Sequence, residues 1–344
     1  MDITLSELFP NSNMGLSQIG FFFGAGSSFA AGYPLTSKLT THVLKKLSSP
    51  EIELIEKILK KKGQILDVEK GEPDIEILSD FINRASTTGG YKDIDSLTDS
   101  IRKYIVDVIN EVAAPNLEYH IKFLKGLKSR LQNRNEPIWI FTTNYDLCFE
   151  MAAAKAHIPV HNGFEGIANR YFDIERLDLK YGKVDYHTRK FEPFKEPHII
   201  LVKLHGSISW FKDDVNTFES FLSENAPNRC MILPRRTKVI ETLEAPYDKL
   251  FRYASSIIGN QCKFIVSCGY SYRDEHINDI LFVPKLNNRS LRLFALSKDE
   301  TPEMSNLKEH PSFHYLVNDK VYYNKNEQSA SFNLWDFKKF ADLF

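Results

Sequence analysis

Long apolar runs are missing from this chain. No stretch approaches the roughly 18 consecutive apolar residues of a membrane-spanning helix, and the opening MDITLSELFPNSNMG carries acids where a secretory signal would carry basic residues. An excess of either charge is missing too: 44 Lys and Arg stand against 45 Asp and Glu, a formal net charge of −1. No global basic field therefore draws the protein to nucleic acid or to an anionic membrane. Cysteine is scarce, and Cys148, Cys230, Cys262 and Cys268 form no C-x-x-C pair, which argues against a disulfide framework and a zinc ribbon. Glycine and proline, 16 and 15 of 344 residues, are too few for a collagen-like or low-complexity chain. These absences predict a cytoplasmic protein with free thiols, no membrane contact, no metal and no direct nucleic-acid binding.

What is present is ordinary globular composition, 42% hydrophobic and 26% charged, in a length that suits two domains or one large domain with an insertion. Six short runs carry the strand signal of β-branched and aromatic residues between Gly, Pro, Asn or Asp. They are Ile19–Phe23, Ile138–Phe141, Ile199–Leu204, Met231–Leu233, Phe264–Ser267 and Leu291–Leu296. Most are solidly apolar, which fits strands buried on both faces of a mainly parallel sheet. The expected fold is α/β, Rossmann-like and doubly wound, with six strands. More than a hundred residues separate the first two runs, far beyond one crossover helix. Ser49-Pro50 offers a helix start, and the Leu117, Ile121, Leu124, Leu127, Leu131 stripe has helical spacing. A helical insertion is expected at about 45–132, a small irregular module at about 157–197, and a docked C-terminal segment at about 300–344, all within a single catalytic domain spanning residues 1–344.

Ligands of open α/β sheets bind outside the carboxyl ends of the strands. Four such ends are rich in polar or small residues: Gly24-Ala25-Gly26-Ser27-Ser28, Thr142-Thr143-Asn144-Tyr145-Asp146, His205-Gly206-Ser207 and Gly269-Tyr270-Ser271. The first is a glycine turn entering a helix, where backbone N–H groups can hold a diphosphate. It lacks the third glycine of the dehydrogenase fingerprint, which falls on Phe29, and the Gly-Lys-Ser/Thr of a P-loop. A tight structural turn would account for it equally well. Thr-Asn-Tyr-Asp also reads as a capped turn, and a lone histidine after a strand is more often structural than catalytic. Three polar strand ends on one sheet edge are harder to attribute to turns alone.

In order along the chain, Gly24-Ala25-Gly26-Ser27, Ala31-Gly32-Tyr33-Pro34, Thr142-Thr143-Asn144-Tyr145-Asp146, Lys203-Leu204-His205-Gly206 and Gly269-Tyr270-Ser271 resemble the NAD-binding motifs of the sirtuin superfamily. The likeness is to the bacterial sirtuin-like NAD hydrolases of antiphage defence, and it spans about residues 20 to 280. The resemblance implies NAD+ as substrate and an NAD+ glycohydrolase acting in abortive infection. It implies Asn144 orienting the nicotinamide ribose or the attacking water, His205 as general base and Asp146 holding the pocket. Gly24, Ala25, Gly26 and Ser27 would line the diphosphate, and Ser271 the adenosine end. Tyr33, Pro34, Thr143 and Gly269 complete the implied NAD+ contacts. It also implies a homo-oligomer and a separate regulator, such as a DNA-translocating ATPase of the HerA type.

The four-cysteine zinc module of protein-deacylating sirtuins is absent from the sequence, and Thr143 stands where those enzymes carry Gln before the Asn. Acyl-lysine deacylation or ADP-ribosyl transfer is thus a lesser alternative, beside a non-hydrolysing NAD+ or ADP-ribose sensing module. Arg235 and Arg236 are candidates to screen a diphosphate. The charged run Arg273, Asp274, Glu275, His276 and Asn278 fits a helix start in which Asp274 and Glu275 would serve the helix dipole.

Overall fold

The computed structural model describes residues 15–132, 134–213, 216–221, 229–233, 244–329 and 333–344. The strands run in chain order as β1 Ile19–Phe23, β2 Pro137–Thr142, β3 Val160–His161, β4 Phe164–Glu165, β5 Arg170–Phe172, β6 Gly182–Val184, β7 Phe191–Pro193, β8 His198–Lys203, β9 Gly206–Lys212, β10 Thr217–Glu219, β11 Arg229–Met231, β12 Phe264–Cys268, β13 Arg292–Leu296, β14 Phe313–Leu316, β15 Lys320–Tyr323 and β16 Asn326–Ser329. One sheet has the order β16-β15-β14-β13-β12-β1-β2-β8-β3. From β14 to β3 every neighbouring pair is parallel, whereas β15 and β16 add antiparallel at one edge.

Alternate residues of the central strands enter two separate cores. Phe22, Phe141, Val202, Ile265 and Leu293 face one way, and Phe21, Phe23, Ile140, Leu201, Val266 and Phe294 the other. Both faces are dry, which is why these strands read as unbroken apolar runs. The result is a mixed α/β protein with a large, mainly parallel sheet, consistent with a Rossmann-like arrangement.

The helices are α1 Ala25–Phe29, α2 Thr36–Lys46, α3 Ser49–Lys60, α4 Ile75–Thr88, α5 Ile94–Asn110, α6 Glu118–Arg130, α7 Cys148–Ala156, α8 Tyr247–Ile257, α9 Glu275–Ile277, α10 Val283–Asn287, α11 Pro302–Leu307 and α12 Phe337–Ala341. Phe123 of α6, Phe149 of α7 and Phe337 and Phe340 of α12 cover one sheet face. Leu250, Phe251 and Ala254 of α8, with Met304 and Leu307 of α11, cover the other. Helices α2 to α5 build their own core from Val43, Leu44, Ile55, Leu59, Leu78, Ile82, Ile101 and Ile105. Helix α3 begins with a capping box in which Ser48, not Ser49, is the N-cap, bonded reciprocally with Glu51.

The sheet has nine strands where six were expected. Met231–Leu233 is not one of them: β11 pairs antiparallel with β9 in a second sheet of order β11-β9-β10-β5-β4. Its apolar residues are buried because Met231 and Leu233 pack on the helical core while Ile232 packs on the main one. The additions come from short β3 and from β14, β15 and β16 in the tail. These escape a search for apolar runs because β3 has two residues, β14 contains His314 and β16 is exposed throughout. The second sheet is organised around the fully buried Glu219. That carboxylate accepts from Asn162 Nδ2, Ser209 Oγ and Trp210 Nε1 and pairs with Arg170. The last turn of the chain docks on α6 at Gly126, where an added Cβ would lie 2.6 Å from Phe344 atoms.

Candidate functional site

The glycine turn after β1 and the turn after β12 interlock backbone to backbone. Gly26 N–H donates to Gly269 O at 3.0 Å, and Gly24 N–H donates to Cys268 O at 3.3 Å. A Cβ on Gly26 would lie 2.6 Å from Gly269 Cα, and one on Gly24 2.6 Å from Gly269 O. Gly269 itself has φ +68° and would set a Cβ 2.5 Å from Ser27 N. All three glycines are therefore required by close approach, and at Gly269 by backbone conformation as well.

Asn144 stands on this floor. Its Nδ2 donates to Gly24 O at 3.0 Å, Ser28 Oγ at 2.9 Å and Ser27 Oγ at 3.2 Å. Since a backbone carbonyl only accepts, these partners fix which end of the amide is which. Thr142 holds the loop by donating to Phe23 O and accepting from Asn144 N–H, both at 3.0 Å.

Asp146 is engaged by both oxygens. Oδ2 accepts from Ser28 Oγ at 2.7 Å and Oδ1 from Cys148 N–H at 3.0 Å, at the start of α7. Beneath it the buried Lys203 ammonium donates to the carbonyls of Asp146 and Tyr145 and pairs with Glu150 at 2.9 Å. Burial pushes the Glu150 carboxyl upward, and the Lys203 charge opposes that push. Burial, followed by the Asp146 charge, holds the Tyr33 hydroxyl protonated far above its usual range.

Around this framework lies a cleft lined by Ala25, Ser28, Tyr33, Pro34, Thr143, Asn144, Tyr145, Asp146, His205 and Asp274, with Thr36, Leu39, Ile75, Glu76 and Ile109 from the helical layer above. Asp74 caps α4 through the N–H groups of Glu76 and Ile77, Thr40 accepts from Ile75 N–H at 2.8 Å, and Arg273 reaches Asp74 at 3.5 Å. These contacts place Ile75 and Glu76 over the strand ends. The lining contains three carboxylates, Glu76, Asp146 and Asp274, and neither Lys nor Arg among the described residues.

His205 is buried, and its Nε2 lies 3.2 Å from Nε2 of His276. Together with Asp274 these form a trio of metal-ligand type, with ligand atoms within 4.8 Å of one another.

Of the residues singled out in the sequence, the structure brings Ala25, Tyr33, Pro34, Thr143, Asn144, Asp146 and His205 to the cleft. Gly24, Gly26, Ser27 and Gly269 lie behind it as the floor. The N–H groups of Gly24, Gly26 and Ser27 bond to Cys268 O, Gly269 O and Gly24 O, and Ala25 of the same turn lines the cleft. Ser271 is apart from the lining, its carbonyl accepting from Thr301 Oγ1 at 3.0 Å. Arg235 and Arg236 lie outside the described residues.

Sequence reasoning missed Glu76, Thr36, Leu39, Ile75 and Ile109, which no local motif marks. It also read Asp274 as a helix-dipole partner and His276 as one member of a charged helix start. Asp274 has a visible signal in hindsight, five residues after Gly269 on a strand end already under suspicion.

The structure is a mixed α/β protein that gathers an Asn, a His and two glycine turns at one strand-end crevice, the place where ligands of open α/β sheets bind. The family model for the SIR2-like domain matches residues 139–316, just over half of the chain, and the protein belongs to that family, whose domains use NAD+. The match begins after the glycine turn, so Gly24 to Ser28 are tied to it by their contacts with Asn144 and Gly269. A comparison with curated proteins gave no match. Among the described residues, no helix is long and apolar enough to cross a membrane.

Proposed function

We propose that the protein is an NAD+ glycohydrolase that cleaves the bond between nicotinamide and ribose to give nicotinamide and ADP-ribose. The observation that carries this reading is the charge of the cleft. Glu76, Asp146 and Asp274 line it with no cationic side chain among the described residues. Such a site suits the pyridinium end of NAD+ and the oxocarbenium-like charge that grows as the bond breaks. It does not suit a diphosphate, which belongs toward the mouth of the cleft.

Nicotinamide leaves as a neutral molecule and needs little acid help. The protein must orient the ribose and deliver water. Asn144 Oδ1, held by the three contacts of its amide nitrogen, accepts from a ribose hydroxyl or the water. His205 takes the proton of the attacking water. Asp146 lines the cleft, where its charge stabilises the reacting carbon, and it also holds Ser28, which accepts from Asn144.

By resemblance, the reaction serves antiphage defence in the cytoplasm: the enzyme depletes NAD+ when infection is sensed and is held silent otherwise by oligomerisation or by a partner such as a HerA-type ATPase. The test is incubation of the purified chain, alone and with products of neighbouring genes, with NAD+. Nicotinamide and ADP-ribose are then followed by chromatography. Release that disappears in both Asn144→Ala and His205→Ala supports the reading. NAD+ that binds but stays intact under every condition sinks it in favour of a sensing module, turnover that requires an acylated peptide sinks it in favour of a deacylase, and labelling of a protein sinks it in favour of an ADP-ribosyltransferase.

A further inference from the structure

The helical layer α2 to α5 is joined to the sheet body by two chain connections and an ion pair. The chain enters the layer through residues 30–35 and leaves it through 111–117, and the two connections touch. Asn116 N–H donates to Ala31 O at 3.0 Å, and a Cβ on Gly32, which has φ +103°, would lie 3.6 Å from Val112. Two short connections side by side, one with a glycine at positive φ, have the form of a hinge.

The layer is tied together within itself. Thr40 Oγ1 donates to Thr36 O at 2.7 Å and accepts from Ile75 N–H at 2.8 Å. Gly71, at φ +66°, comes so near α2 that a Cβ would lie 2.8 Å from Ser37 O. With the common core of α2 to α5, these bonds make Thr36, Leu39, Ile75, Glu76 and Ile109 parts of one body.

The ion pair joins that body to the sheet across the cleft. Arg273 Nη1 lies 3.5 Å from Asp74 Oδ2. Asp74 precedes Ile75 and Glu76, which line the cleft from the layer, and Arg273 precedes Asp274, which lines it from the strand ends. The Arg273 side is anchored, because the buried Tyr272 before it meets Ser267 Oγ through its hydroxyl at 2.5 Å and accepts from Asn278 Nδ2 at 2.6 Å.

We propose that the Arg273–Asp74 pair is a clasp that holds the helical layer closed on the cleft. NAD+ enters when the clasp opens and the layer turns about residues 30–35 and 111–117. The ligand is taken from the glycohydrolase reading. Nicotinamide and its ribose must reach Asn144 and His205, yet the cleft encloses about 100 Å³, and small-molecule sites begin at roughly 300 Å³. The glycine floor cannot give way, since backbone bonds lock Gly26 to Gly269; the layer can. Side-chain exposures of 41% for Arg273 and 20% for Asp74 leave the pair weak enough to break and open to screening by salt.

The test uses the full-length protein. Asp74→Asn keeps the cap of α4, because Asn caps as well as Asp, and removes the charge that Arg273 meets; Arg273→Gln removes the other. A cleft that is open more of the time binds more tightly in proportion, so each variant should gain about two- to fivefold in affinity for ADP-ribose by calorimetry. The double variant should match the single ones. Nitroxide labels at Glu56→Cys in α3 and Asp299→Cys after β13, both exposed, should show by pulsed electron resonance a second distance population enriched in each variant. Raising NaCl should enrich it in the parent and leave the variants unchanged. Distances and affinities that stay the same in both variants overturn the proposal. So does weaker binding, which would make the pair a seal over bound ligand, and so do effects that multiply in the double variant, which would make the two charges act apart. The labels need no turnover: a chain that cleaves no NAD+ but shows the second population loses the glycohydrolase reading and keeps the clasp.

Discussion

The Ser28 hydroxyl donates to Asp146 Oδ2 at 2.7 Å while it accepts from Asn144 Nδ2 at 2.9 Å. One buried hydroxyl therefore couples a carboxylate on the far side of the turn to the amide at the centre of the site. Because Ser28 donates to the acid, its lone pairs face Asn144, in agreement with the amide orientation that the Gly24 carbonyl fixes.

Replacing Asp146 by Asn should lower nicotinamide release by about 10- to 100-fold, because a neutral amide no longer requires the Ser28 hydroxyl to donate. Ser28→Ala should have a comparable effect. Steady-state kinetics alongside circular dichroism provides the check. Full activity in either folded variant would mean that Asn144 is held sufficiently by Gly24 O and Ser27 Oγ.

Gly269→Ala should remove NAD+ binding and cost several kcal/mol, combining about 1–3 kcal/mol of backbone strain with a Cβ 2.5 Å from Ser27 N. Gly63→Ala is the matched control, since Gly63 has a similar φ of +66° with nothing within 4 Å of the added atom. Denaturant midpoints that fall equally in the two variants would show that the interlock with the first turn adds nothing.

Lys203→Met should destabilise the protein by about 3–5 kcal/mol, the usual result of leaving one member of a buried pair alone. Here the abandoned group is Glu150, and the carbonyls of Tyr145 and Asp146 lose their donor. Lys203→Met combined with Glu150→Leu should regain stability in urea unfolding but not NAD+ turnover, because the 145–146 backbone stays unsupported. Recovery of both would assign Lys203 to charge balance alone.

Acid should weaken the fold before most carboxylates titrate. Burial lowers His120 and His314 to about 4 from an ordinary value of 6.5. Protonation therefore favours the unfolded chain: the contribution is complete above about pH 6.5 and is lost as pH falls toward 4, at about 1.4 kcal/mol per unit for each group. His120 packs between Phe149 and Phe337, and its ring nitrogens have no hydrogen-bond partner among the described residues. His120→Leu should flatten the stability profile between pH 6.5 and 4. An unchanged slope would place the acid sensitivity elsewhere.

The strands nearest the centre were legible because burial on both faces leaves no polar residue to interrupt them, as in Phe21, Phe22 and Phe23. The tail strands were not, because an edge strand such as β16 carries no apolar signal and His314 interrupts β14. The strand-end residues Asn144 and His205 were legible for a related reason: polar groups stand out after solid apolar runs. Glu76 and Ile109 reach the cleft only through the docking of α4 and α5, a tertiary fact that no local pattern encodes. The glycine turn was legible, but the bonds of Gly24 and Gly26 N–H to Cys268 O and Gly269 O at the second turn were not, because they join segments more than 240 residues apart.

That second turn has a temporal consequence. The floor of the cleft is made by Gly26 and Gly269 closing on each other, contacts that most of the chain must be synthesised to complete. A growing polypeptide holds Asn144 and His205 long before it holds Gly269, and until β12 joins the sheet there is no floor to seat them. Such distant closures are slow to form, so the cleft gains its floor only when β12 has joined the sheet, late in the emergence of the chain.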